Sequence, residues 1–147
     1  RLRPALDALA PGLSVFMIFQ GVAHLLSGDA FGAPSRIPWA IFLWGEYRHP
    51  AQVYEILLAA GILFVVLKRP LGEPGQGFNF FLVIALSAAA RVFLEAFRGD
   101  SLIWPGGFRA AQVIGLAVMA VSLWLIRTWT QKQIAREHEK YVEAPNQ

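Results

Sequence analysis

Residues 8–28 read ALAPGLSVFMIFQGVAHLLSG, from Ala8 to Gly28, without one charged side chain. About 20 predominantly apolar residues cross the hydrocarbon core of a bilayer as a helix. The stretch therefore predicts a transmembrane helix. Pro4 fits a helix start, and Pro11 a kink of the kind spanning helices tolerate. The same signal recurs along the chain. A second apolar span runs from Ala51 to Leu67, opened by His49-Pro50 and closed by Lys68-Arg69-Pro70. A third runs from Phe78 to Phe97 and closes at Arg98, and a fourth from Phe108 to Ile126 closes at Arg127. Proline before a first turn and cations after a last one are ordinary helix punctuation. The Gly28–Pro50 connection is rich in Gly, Pro and Ser. Its apolar run Ile37–Trp44 is too short to span and predicts an interfacial or re-entrant piece of irregular or extended chain, with Trp39 and Trp44 at headgroup level. The fold expected is an all-α integral membrane protein of four transmembrane helices. Residues 1–131 form one helical domain, and 132–147 a polar tail that frays or lies on the membrane surface. The chain opens on Arg1 rather than Met, so a preceding segment of a larger parent fold is expected.

Composition points the same way. Apolar residues make up 56% of the 147 and charged residues 16%, against about 25% charged in soluble domains. Mean hydropathy is +0.47. A soluble globule of this length cannot hide so much apolar surface, and a disordered chain would be poor in it. The absence of cysteine excludes disulfide scaffolds, thiolate metal sites and a cysteine nucleophile. Net charge is +3. In so apolar a chain this suggests a cytoplasmic membrane face rather than nucleic acid. Four spans put both termini on one side, with Arg1, Arg3, Lys68, Arg69, Arg127, Lys132, Arg136 and Lys140. The other side holds Arg36, Arg48, Arg98 and Arg109. The positive-inside bias predicts cytoplasmic termini and two outward-facing loops.

Polar residues at membrane depth are the functional candidates, because a charge there needs a partner or a wet cavity. Arg91, Glu95 and Arg98 share one helix face at i, i+4 and i+7. They form either a structural Arg–Glu pair or an anion site, in which the two arginines meet a phosphate and Glu95 orients one of them. Arginine's planar fork suits phosphate. Gln52 and Glu55 share a face near the outer end of the second helix, and Gln112 enters the fourth at the same level. Glu55 either reaches the interface or pairs with Arg48 or Arg91, or else it walls the same cavity. Gln20 and His24 lie one turn apart on the first helix, with Asp29 just beyond. His24 is a packing histidine or a proton carrier. Two histidines and one Asp are a thin basis for a metal, and none is expected. Neither a Gly-rich phosphate loop nor a nucleophile elbow occurs, and no cofactor is implied.

Two stretches resemble a known family. RHPAQVYE, through His49 to Glu55, resembles the RHPxQxYE motif of bacterial prolipoprotein diacylglyceryl transferases. ARVFLEAFRGD resembles that family's RxxxExFRxD segment, with Arg91, Glu95, Arg98 and Asp100 in register, and Gln112 stands where the family has a Gln early in its last helix. Upstream, residues 6–42 are similar to the segment containing the family signature GRxxNxxNxExxG and a following Pro-Trp strand. Counted back from Gly32, Asp29 stands for the signature Glu, Ser27 and His24 for its two Asn, and Gly21 or Val22 for its Arg. Ser87-Ala88 replaces a Tyr-Gly ahead of Arg91. The His-Gly-Gly motif with the family's essential histidine would precede Arg1.

The resemblance covers the C-terminal half of a typical member. It implies a multi-pass protein of the bacterial inner membrane that moves diacylglyceryl from phosphatidylglycerol to a prolipoprotein cysteine, releasing glycerol phosphate. It makes Arg91, Glu95 and Glu55 the catalytic candidates, and Arg91, Arg98, Gln52, His49, Gln112, Asp29 and His24 the lipid- and phosphate-binding ones. The other function class is a non-catalytic relative: a structural, lipid-binding subunit of a larger membrane complex.

Overall fold

The structure, a computed structural model, describes residues 2–69 and 77–143. It is mostly helical. Helix α1 covers Leu2–Ser27, α2 Ala51–Leu67, α3 Phe78–Glu95 and α4 Ala110–Glu143. Three of them, α1, α3 and the Ala110–Arg136 part of α4, are long and apolar enough to cross a membrane. At 17 residues, α2 is equally apolar but shorter.

Helix α1 begins well before its apolar run. Pro4 sits in the first turn, where no amide donor is needed. Asp7 is buried on this helix because it does a second job. Its carboxylate accepts the Gly77 amide at 2.7 Å and the Phe80 amide at 3.1 Å. It thereby satisfies two of the free N–H groups at the start of α3. Helix α4 corrects the expected boundary. It continues past Ile126 to Glu143 rather than fraying, because Gln, Lys, Ala, Arg and Glu dominate that stretch and all are good helix formers.

The Ile37–Trp44 run, expected as irregular or extended chain, leads into a small hairpin. Strand β1 (Ile41–Leu43) pairs antiparallel with β2 (Glu46–Arg48), Phe42 opposite Tyr47. Trp44 and Gly45 make the turn with positive φ at both (56° and 82°), the combination that a tight two-residue hairpin turn requires. The hairpin is sewn to the end of α3. Ala33 N–H donates to the Phe97 carbonyl (2.7 Å), Gly99 N–H to the Phe31 carbonyl (3.0 Å) and His49 N–H to the Ala33 carbonyl (3.0 Å).

Helices α1, α2 and α3 pack on one another, and α4 packs chiefly on α3, with Arg3 of α1 reaching Trp129 of α4. The core is thin: Ala10, Ile62, Val66 and Val83, with Leu13, Met17, Leu86 and Ala90 against them, and small residues such as Ser14, Ala59, Ala85 and Ala88 are buried where the helices meet. The large apolar residues point outward instead. Phe19, Leu57, Phe64 and Trp124 are each more than 60% exposed. Such a surface is incompatible with water at this density, and small residues at the crossings with large ones outside is the arrangement of helices packed in lipid.

Candidate functional site

A cavity of about 300 Å³ lies between α1, α2 and α3. Met17 and Gln20 enter it from α1, Glu55, Leu58 and Ala59 from α2, and Ser87, Ala90, Arg91 and Leu94 from α3. Among apolar walls, two groups of opposite charge thus meet one space. Glu55 is already held. His24 Nδ1 donates to its Oε2 at 2.8 Å, with side-chain exposures of 25% for His24 and 14% for Glu55. Gly21 makes this bond possible. A Cβ at Gly21 would lie 2.8 Å from Ile56 Cγ1 and 3.3 Å from the Ile56 amide nitrogen. Without one, α1 and α2 cross close enough for the imidazole to reach the carboxylate. Arg91, in contrast, makes no salt bridge among the described residues.

The other candidates fall in three places. Glu95 is buried at 2% exposure, does not pair with Arg91 and does not line the cavity. Arg98 is occupied locally, its Nε and Nη2 donating to the two Asp100 oxygens at 2.8 and 2.7 Å. Gln52 is wholly buried at the base of α2. Its Nε2 donates to the Asp29 carbonyl (2.9 Å), and its Oε1 has no partner among the described residues. His49 lies against the rings of Tyr54 and Phe97. It lines a separate apolar groove of about 470 Å³ with Trp39 and Phe93. Gln112 lines neither space. The third wall of the polar cavity is therefore α1, through Gln20, and not α4.

Sequence reading missed one residue. Arg109, just before α4, passes its Nη1 to the carbonyls of Glu95 and Arg98 and to Ser101 Oγ. It closes the end of α3, where helix carbonyls have no partner of their own. The only signal available was an arginine in a Gly-rich turn between two helices.

The sequence model of the family described as prolipoprotein diacylglyceryl transferase matches residues 1–128. The chain belongs to that family. Among relatives named phosphatidylglycerol–prolipoprotein diacylglyceryl transferase, it is 28% identical to that of Finegoldia magna over 138 residues, covering 92% of this chain and 54% of the relative. It is 31% identical to that of Clostridioides difficile (75% and 44% covered) and 32% to that of Rhizobium meliloti (82% and 47%). The chain spans about half the length of these relatives. They bear the name of an enzyme, and the reading as a non-catalytic subunit of a larger complex finds no support among them.

Seen as part of a diacylglyceryl transferase, the RHPAQVYE stretch divides its work. Arg48 stitches the hairpin, donating to the Leu43 and Gly32 carbonyls and to Glu46. Gln52 pins the turn after α1, Tyr54 accepts the Trp39 indole N–H at 2.7 Å, and Glu55 alone reaches the polar cavity. Three of these side chains build the scaffold that presents the fourth.

Proposed function

We propose that the chain is the membrane-embedded, headgroup-binding part of a phosphatidylglycerol–prolipoprotein diacylglyceryl transferase of the bacterial inner membrane. The cavity between α1, α2 and α3 takes the anionic phosphodiester of phosphatidylglycerol. Arg91 holds the phosphate through its planar fork and stabilises the charge that develops as glycerol phosphate leaves. Glu55 and Gln20 supply the polar wall that orients the headgroup, and the diacylglyceryl group passes to a prolipoprotein cysteine. The observation that carries this reading is Arg91 facing a cavity in an apolar bundle without a salt bridge among the described residues, the cavity's one carboxylate, Glu55, being held by His24. A guanidinium at such depth costs several kcal/mol without a counter-charge.

In this reading α2 is a fourth crossing. Seventeen residues give a helix of about 26 Å, a little under the roughly 30 Å of a hydrocarbon core. Lys68 and Arg69 at its end reach the interface by snorkelling.

Native mass spectrometry of co-purified lipid tests the site. The wild-type chain should retain phosphatidylglycerol. Arg91→Ala should retain roughly tenfold less, the equivalent of one charge-assisted hydrogen bond. Arg91→Lys should fall between, because the ammonium keeps the charge and loses the fork. Equal occupancy in wild type and Arg91→Ala would remove the headgroup from this cavity.

A further inference from the structure

The cavity between α1, α2 and α3 holds two opposite charges that do not meet. Arg91 lines it from α3 and Glu55 from α2, with Gln20 on the α1 side. Among the described residues no salt bridge joins the guanidinium to the carboxylate. Glu55 keeps room for a further donor. Its Oε2 accepts from His24, its Oε1 has no partner among the described residues, and an ionised carboxylate accepts several hydrogen bonds at once. The two charges in the cavity cancel. A headgroup with a single negative charge therefore leaves the filled cavity negative. A headgroup with both a phosphate and an ammonium leaves it neutral, and an uncompensated charge among apolar walls is costly. An apolar groove of about 470 Å³ between α2 and α3 shares Leu58 and Ala90 with this cavity. It suits the tails that all these lipids have in common, so discrimination between them falls to the polar cavity.

We propose that this cavity also takes a zwitterionic phospholipid, one whose phosphodiester carries a primary ammonium. The phosphate sits on Arg91 and the ammonium donates to Glu55, while the Gln20 amide can donate to the one or accept from the other. The proposal rests on the headgroup reading above and adds a second ligand class to the same cavity. A primary ammonium meets the carboxylate with both charge and N–H donors. A glyceryl headgroup offers it hydroxyls without charge, and a quaternary ammonium offers charge without N–H. Glu55 is thus the residue that tells the three apart. No other carboxylate replaces it, since Asp29 and Glu95 do not line the cavity and Asp100 is bonded to Arg98. The zwitterionic and anionic lipids compete for one space, and its occupancy follows the composition of the surrounding leaflet.

The test is a competition between lipids of identical tails. The full chain in detergent is given equimolar phosphatidylglycerol, phosphatidylethanolamine and phosphatidylcholine, and the retained lipids are read by native mass spectrometry. The pH is about 8, where an unperturbed imidazole is uncharged and His24 adds nothing to the balance. Wild type should retain phosphatidylethanolamine alongside phosphatidylglycerol, and phosphatidylcholine roughly tenfold less. Glu55→Gln keeps an acceptor for His24 and removes the negative charge. It should lower the ratio of phosphatidylethanolamine to phosphatidylglycerol roughly tenfold. The ratio is taken within one sample, so a general loosening of the bundle does not move it. Arg91→Ala should lower both lipids together. Phosphatidylethanolamine missing from wild type, or retained no better than phosphatidylcholine, overturns the zwitterionic assignment, as does an unchanged ratio in Glu55→Gln. The anionic headgroup then keeps the cavity to itself. If Arg91→Ala retains every lipid as wild type does, the cavity is no headgroup site, and the reading beneath this proposal falls as well.

Discussion

Gly21 decides more of the site than any charged residue. The family signature has an arginine at this position or the next, and in this chain the close α1–α2 crossing leaves no room for a side chain on Gly21. The same absence lets His24 reach Glu55. Gly21→Ala sets two effects against each other. Alanine gains about 1 kcal/mol of helix propensity over glycine. The added Cβ must displace Ile56 Cγ1 and crowd the Ile56 amide nitrogen, and overpacking of this kind costs typically 1–3 kcal/mol. Backbone cannot rotate away, so destabilisation should win. Denaturation of the bundle in mixed micelles should show Gly21→Ala less stable than wild type, and Ile56→Ala should recover part of the loss. A more stable Gly21→Ala would mean that the crossing is looser than described. At this scale the sequence exposed His24 and Glu55 as polar residues out of place, but not as partners. By sequence Glu55 reaches the interface, pairs with Arg48 or Arg91, or walls the cavity, and nothing in its spacing points to His24. The α1–α2 register that brings His24 opposite depends on a glycine whose significance is visible only in the packing.

Among the elements, the helices were legible and their junctions were not. Hydropathy located all four, since a run of apolar residues bounded by Pro and Lys/Arg has few other readings. It failed at the end of α4, where polarity was weighed and helix propensity was not. The hairpin was obscured because Trp44 has positive φ, which a bulky residue rarely adopts. Trp44 Nε1 donates to the Gly28 carbonyl at 3.0 Å, which holds it there. Arg109 is the clearest case of a junction decided by tertiary structure. It fastens the C-terminal end of α3 to the turn before α4, and the hairpin segment hangs from that same end through Ala33 and Gly99. Arg109→Ala should therefore loosen a region it does not touch. Hydrogen exchange at the Ala33 and Gly99 amides should accelerate roughly 10- to 100-fold, the range set by losing a hydrogen bond to a charged group. Arg109→Lys should recover a good part of the protection, since all three acceptors surround the one nitrogen Nη1 and an ammonium carries three donors. Unchanged exchange in Arg109→Ala would show that the hairpin carries its own stability.

For the whole molecule, the two ends of the bundle use their cations differently. At one end Arg3 stacks over Trp129 at 4.3 Å, Lys68 sits 5.4 Å from the Phe64 ring, and Arg69 covers Phe78 at 4.4 Å while bonding Asn79. Aromatic rings with cations above them suit the headgroup level of a membrane. At the other end Arg48, Arg98 and Arg109 are consumed by the fold, bonded to Glu46, Asp100 and main-chain carbonyls. Their presence there is explained by local structure, so they say little about which side of the membrane they face. The eight cations counted at the first end, Arg3, Lys68 and Arg69 among them, outnumber these and are the ones to weigh. The positive-inside bias predicts that this end lies in the cytoplasm and the hairpin end outside. The chain has no cysteine of its own, so single cysteines report directly. Ser35→Cys beside the hairpin and Leu102→Cys in the turn before α4 should react with a membrane-impermeant maleimide on intact cells stripped of their outer membrane. Thr130→Cys on α4 should react only after lysis. The opposite pattern would turn the hairpin end toward the cytoplasm. Because a lipobox cysteine is presented only from the outer side in the transferase reading, that one result would count against the proposed reaction as well as the topology.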